Sequence, residues 1–260
     1  MATAPALTRP RWMWHVRATW SAREDRLPSA VWLGILWFGL AAGFGVDIPG
    51  FAHRTPPPPT VLWVHGLVFT VWMLLLTTQV LLVVGNRVAI HRKLGWFAAG
   101  WACLMVVMGP WAAIADIFYF LKLYSPGPDP FIATQATNII WFLMLVTAAI
   151  ALRKNPAAHK RLMILSTVAL ADPGFSRLLG HFLHHDAASA LPFFFHMFYG
   201  NVLLIALMLA WDWWRGRLLR SFVLASTGLA ATYALASFLE FWPPWNTLTL
   251  HWMQALARHA

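Results

Sequence analysis

Seven long apolar runs constrain this chain more than any other feature. They cover about residues 30–46, 61–84, 94–121, 131–152, 162–182, 191–211 and 219–241, each bounded by charge, proline or glycine. A bilayer core about 30 Å thick takes roughly 20 residues of α-helix to cross. Lipid offers backbone groups no hydrogen-bond partner, so runs of this length fold as transmembrane helices. Composition agrees. The chain is 60% hydrophobic and 11% charged, where a soluble domain carries about 25% charged residues, which excludes a water-soluble globular fold. The predicted fold class is an all-α integral membrane protein, a seven-transmembrane-helix bundle whose core is spans two to six. Residues 1–29 form an Arg- and Trp-rich cytoplasmic segment, 30–241 the transmembrane domain and 242–260 an external interfacial segment. Gly109-Pro110 is expected to kink span three.

The nineteen Lys and Arg against nine Asp and Glu give a net charge of +10, and their positions explain it. Fifteen fall before span one or in the loops after spans two, four and six; Arg54, Lys122, Arg177 and Arg258 fall on the other side. By the positive-inside rule the N-terminus is cytoplasmic and the C-terminus external. The expected location is a cell inner membrane, crossed several times, with the basic loops against an anionic inner leaflet. No nucleic-acid motif is present. The first 29 residues lack the apolar stretch of a cleavable signal peptide, so span one reads as a signal anchor. Trp12, Trp14, Val16 and Trp20 suit an interfacial helix, as do Trp245, Leu248, Trp252, Met253 and Leu256 at the other end.

Absences narrow the chemistry. Cys103 is the single cysteine, so there is no intrachain disulfide, CxxC clip or c-type haem attachment. Span seven has no lysine for a retinal Schiff base, and no phosphate-binding, dinucleotide or GxSxG motif appears. Any activity is intramembrane or at the surface.

Two loops repeat. Asn86 to Gly95 reads NRVAIHRKLG and Lys154 to Met163 reads KNPAAHKRLM, so His, two basic residues and Leu superpose at an offset of 68. The arrangement predicts a parallel helix-hairpin repeat in which His91 and His159 share a task. With His65-Gly66, Phe69-Thr70 and Gln79 in span two, these signatures resemble a bacterial family of seven-span membrane proteins to which no chemistry is attached. The resemblance covers about residues 61–177. The layout is also similar to that of two-haem transmembrane cytochromes b, in which helices supply histidine pairs near each membrane face.

Depth pairs the histidines. His65 and His196 each stand roughly 6 to 8 Å below the external boundary at 1.5 Å per residue; His91 and His159 share the cytoplasmic one. Two bis-imidazole b-type haems need such pairs, with Arg92, Lys93, Lys160 and Arg161 facing haem propionates and a quinone as electron partner. The alternative is a non-redox binding or transport module without cofactor, in which the basic loops hold anionic lipid headgroups. Ala133 stands where the second repeat needs a counterpart to His65. A third reading places zinc or copper on His181, His184 and His185 as an external hydrolase. Membership of a larger membrane complex stays open.

Asp172-Pro173-Gly174 lies roughly 15 Å into span five, where Pro and Gly break the helix beside a carboxylate. An intramembrane Asp is a proton relay or cation site by expectation; otherwise it bonds Ser166, Thr167 or Ser176 or caps the second half-helix. Asp116 in span three is a second relay candidate. Asp212 is expected to be solvated or paired with Arg215, and Glu240 to have no identifiable partner.

Overall fold

The computed structural model describes residues 13–16, 22–124, 131–183 and 189–257. Within them nine α-helices follow in order: α1 Arg26–Ala52, α2 Thr60–Val84, α3 Val88–Leu123, α4 Ile132–Ala151, α5 Pro156–Val168, α6 Asp172–Leu183, α7 Ala190–Trp214, α8 Arg220–Glu240 and α9 Pro243–Ala257. Six are long and apolar enough to cross a membrane; α5 and α6 make a seventh span if the two are one element, bent by 49°. The fifth apolar run is thus divided. Pro110 sits inside a continuous α3.

Local sequence accounts for the ends. The Asn155 side chain accepts from the Ala158 backbone N–H at 3.3 Å, and Pro156 follows at the first helical position, a start signal for α5. Proline has no N–H to donate and fits the first turn of a helix, so Pro173 belongs to a new helix, and α6 starts at Asp172 after a turn at Ala169 and Leu170.

The broken span lies at the centre. Leu165, Val168, Ala169 and Ala171 are fully buried, packed among Leu33 and Leu36 of α1, Phe198 and Leu204 of α7, and Leu229 and Tyr233 of α8. A second cluster joins Trp72 of α2, Met105 of α3 and Phe142 of α4, with the Trp72 and Phe142 rings edge-on at 5.1 Å. Spans one and seven are therefore not peripheral, as the order of the runs suggested: α1 packs along α6, and α8 against α4 and α7.

Two segments outside the spans take different forms. Residues Met13–Val16 form a strand, β1, antiparallel to β2 at Arg217–Leu219, in place of the interfacial helix expected there. Gly216, at φ 64°, turns the chain out of α7 and offers the backbone edge that β1 pairs with. Trp12 and Trp20 lie outside the described residues. At the other end α9 is helical, resting on α3 and α8 with Thr249 and Met253 buried and Leu248 and Trp252 exposed.

Glycine sets the spacing of α1 and α6. A Cβ on Gly43 would run into the Gly174 carbonyl oxygen, and one on Gly174 would meet Leu40 Cα at 2.8 Å. The Phe175 ring fills the space left by Gly39 on one side and Gly200 on the other. Close backbone approach of this kind drives helix association in lipid, where burial of apolar surface contributes little between helices. Gly43→Ala should lower stability by about 1–3 kcal/mol, read as the thermal midpoint of the purified protein in detergent. Gly34→Ala, with open space around its Cβ position, should leave that midpoint unchanged.

Candidate functional site

Three polar groupings stand out, two at the end of the bundle that carries the basic loops and one in its middle.

The first is an ion-pair network around the second repeat signature. Arg161 grips Asp212 with two parallel bonds, from Nε to Oδ2 and from Nη2 to Oδ1 at 2.6 Å, while its Nη1 donates to Asp25 Oδ2 at 3.1 Å. Lys160 pairs with Asp25, and Arg217 donates to Asp25 Oδ1 at 2.8 Å and to Glu24. Arg215 reaches Glu24 at 2.8 Å. Arg26 ties the start of α1 to the α2–α3 turn through Val84 O and Asn86 Oδ1. The network clasps the turn before α1, the start of α5, the end of α7 and β2. Asp212 is thus a partner of Arg161, and the Arg215 expected for it bonds Glu24 instead; the planar guanidinium matches a carboxylate edge bidentately. Lys160 and Arg161, read from sequence as facing propionates or lipid headgroups, are engaged inside the protein. Arg92 and Lys93 remain exposed.

Beside this network the two repeat histidines meet. Their ring centres are 6.2 Å apart and their planes perpendicular at 89°. Each turns Nδ1 back onto the preceding helix of its own hairpin: His159 Nδ1 lies 2.8 Å from the Ala149 carbonyl, and His91 Nδ1 lies against the Gln79 amide, whose other end takes the Gly95 N–H at 2.9 Å. A carbonyl only accepts, so His159 carries its proton on Nδ1 and keeps a lone pair on Nε2. The sequence repeat is therefore matched by a repeated anchoring, and Gln79, quoted in span two without a role, is the residue that sequence reasoning missed.

The other histidine pair has different surroundings. His65 of α2 stacks on Phe69 at 4.1 Å, and His196 of α7 lies against Gly180 of α6. The main neighbours of α2 are α3 and α1, and those of α7 are α6 and α8, so their shared depth does not make them neighbours by helix packing. His181 is exposed on α6; His184 and His185 lie outside the described residues. Among the described residues no three His, Cys, Asp or Glu gather as metal ligands. Asp116 is partly buried on α3, within electrostatic reach of Arg177 and Arg54.

The third grouping surrounds the break. Asp172 is 1% exposed and accepts from Asn138 Nδ2 of α4 at 2.8 Å, rather than from the hydroxyls of its own span; Ser166 and Ser176 bond the carbonyls of Met163 and Pro173. Asn201 of α7 donates to Val168 O at 2.8 Å and to Tyr233 Oη at 3.0 Å. Trp72 donates to Thr167 Oγ1 at 3.1 Å. Glu240 also has a partner: its Oε1 accepts from the Thr134 backbone N–H at 2.8 Å, capping α4.

The chain matches no family model, no curated protein and no solved structure.

Breaking a buried ion pair by removing one partner costs about 3–5 kcal/mol. Arg161→Met should therefore destabilise by that order in chemical or thermal unfolding, and Arg161→Met with Asp212→Leu by clearly less. Acid sensitivity follows from Asp25. Burial works to raise its carboxyl, but the charges of Arg161 and Lys160 outweigh it and hold it below its ordinary value of 3.8. A depressed carboxyl contributes stability that is complete above about pH 4 and lost as pH falls through its folded value. The thermal midpoint should fall on acidification below pH 4, and Asp25→Asn, lower at neutral pH, should show a flatter acid limb.

Proposed function

We propose that the chain is a multi-pass protein of a bacterial inner membrane, N-terminus cytoplasmic, that carries single electrons on a b-type haem held between His91 and His159. The observation that supports this reading is the paired imidazole geometry. Two imidazoles on one metal have ring centres about 6 Å apart, set by a metal–nitrogen distance of roughly 2 Å and roughly 1 Å from nitrogen to ring centre on each side; these two stand at 6.2 Å on separate helices. The Ala149 anchor leaves the Nε2 of His159 as a ligand; the Gln79 amide nitrogen donates to His91 Nδ1, so neutral His91 carries its proton on Nε2 and would release it to ligate. An Nδ1–H held by a carbonyl is the second-shell arrangement that fixes a ligating imidazole. His159 has it.

Arg92 and Lys93 would face the propionates, since Lys160 and Arg161 are held by carboxylates. A haem held there would supply one-electron chemistry, with a membrane quinol as the class of donor. The proposal asks nothing of His65, His196 or the His181 region.

Protein purified from a haem-replete host should show a Soret band and a pyridine-haemochrome signal near one haem per chain. His91→Ala and His159→Ala should each abolish it, and His65→Ala should leave it. A spectrum without a Soret band overturns the proposal.

A further inference from the structure

The break between α5 and α6 gathers oxygen atoms that nothing in the protein satisfies. Asn138 is 9% exposed and Asn201 fully buried, and the side-chain oxygen of each is buried without a hydrogen-bond partner, although the nitrogens of both amides are bonded. Oδ1 and Nδ2 share one amide carbon, so the open Asn138 oxygen stands beside the Asp172 carboxylate that its nitrogen bonds. Asn201 is bound to Val168 O, at the last residue of α5. Amides with an open oxygen thus flank the turn on both sides, Asn201 of α7 at the end of α5 and Asn138 of α4 at the Asp172 carboxylate that opens α6.

Among the described residues no guanidinium or ammonium forms an ion pair with the Asp172 carboxylate, although Arg177 lies within electrostatic reach. The guanidinium of Arg177, one turn beyond Asp172, bonds Asp47 Oδ2 at 2.8 Å and Pro173 O at 2.9 Å. Asp172 itself is held by an amide, a neutral donor. A carboxyl that stays ionised at this depth is held by a compensating positive charge, and one carboxylate balances one unit of it. Hard oxygen ligands without nitrogen or sulfur select an alkali or alkaline-earth cation over a transition metal, and the single negative charge selects the monovalent class. Discontinuous membrane helices hold such ions in this way, through unwound backbone and the C-terminal end of a half-helix.

We propose that the break binds one monovalent alkali cation, coordinated by the Asp172 carboxylate with Asn138 Oδ1 and Asn201 Oδ1. The site is independent of the histidine pair: its ligands come from different residues, and it needs no haem. The cation neutralises the carboxylate and supplies the open amide oxygens, locking α4, α6 and α7 around the turn.

The test uses the full-length protein in detergent at constant ionic strength and pH, in NaCl, KCl or choline chloride. Na+ or K+ should raise the thermal midpoint over choline in a saturable manner, and Asp172→Asn should remove the response. Radioactive Na+ in equilibrium dialysis with wild-type protein, competed with K+, should give about one site per chain and keeps the question decidable where a variant fails to fold. Equal midpoints in all three salts with no saturable Na+ binding overturn the proposal, as does an Asp172→Asn protein that keeps the cation response. The absence of a Soret band leaves this result untouched, and the absence of cation binding leaves the haem result untouched.

Discussion

A helix broken inside hydrocarbon releases backbone groups that cannot turn to water, and the architecture is organised around meeting that demand. Polar groups in a bilayer interior cost several kcal/mol each when unpaired. The break at Ala169–Ala171 is accordingly wrapped. Asn201 takes the Val168 carbonyl, Asn138 takes Asp172, and Trp72 takes Thr167. Those three donors come from α7, α4 and α2; the first meets a carbonyl at the break and the other two bond side chains on either side of it. The glycine contact of α1 with α6 closes a further side by bringing backbone onto backbone.

The ion-pair network does comparable work at the basic end. Buried charge is costly unless each ion is paired and hydrogen-bonded, and Arg161 meets both conditions, with Asp212 on one edge and Asp25 on the other. The start of α5 is thereby fixed to the end of α7 and to the turn before α1. Fixing α5 also fixes His159, the residue before Lys160, so the rigidity that the ion pairs supply is passed to the imidazole pair. The two groupings form one unit in which charge positions the helix and the helix positions the ring.

The spans were readable because bilayer thickness imposes a length on apolar runs, and six of the seven runs emerge as single helices. The broken run was readable as well, since Pro173 and Gly174 announce it. Within the site, the likeness of His91 and His159 was visible as a repeat, and the structure sets the two rings beside one another. Gln79 was not legible as their partner. It is twelve residues before His91 on another helix, and only a hairpin return brings its amide to the ring. Asp212 and Glu240 were misread for a similar reason. Their partners, Arg161 and the Thr134 N–H, are 51 and 106 residues away, and proximity in sequence pointed to Arg215 or to nothing.

What the sequence determined by itself was the solvent of the fold and the helices within it, because hydrophobic length, proline and capping residues act over one or two turns. The tertiary structure alone decided which helix is central and which polar side chains meet. α5 is buried over most of its length though it belongs to the fifth of seven runs, and α1 and α8 pack against it though they come from the ends of the chain. Pairing across helices depends on how those helices rotate and cross. That is set by packing at glycine contacts and by the satisfaction of buried polar atoms, neither of which has a period along the chain.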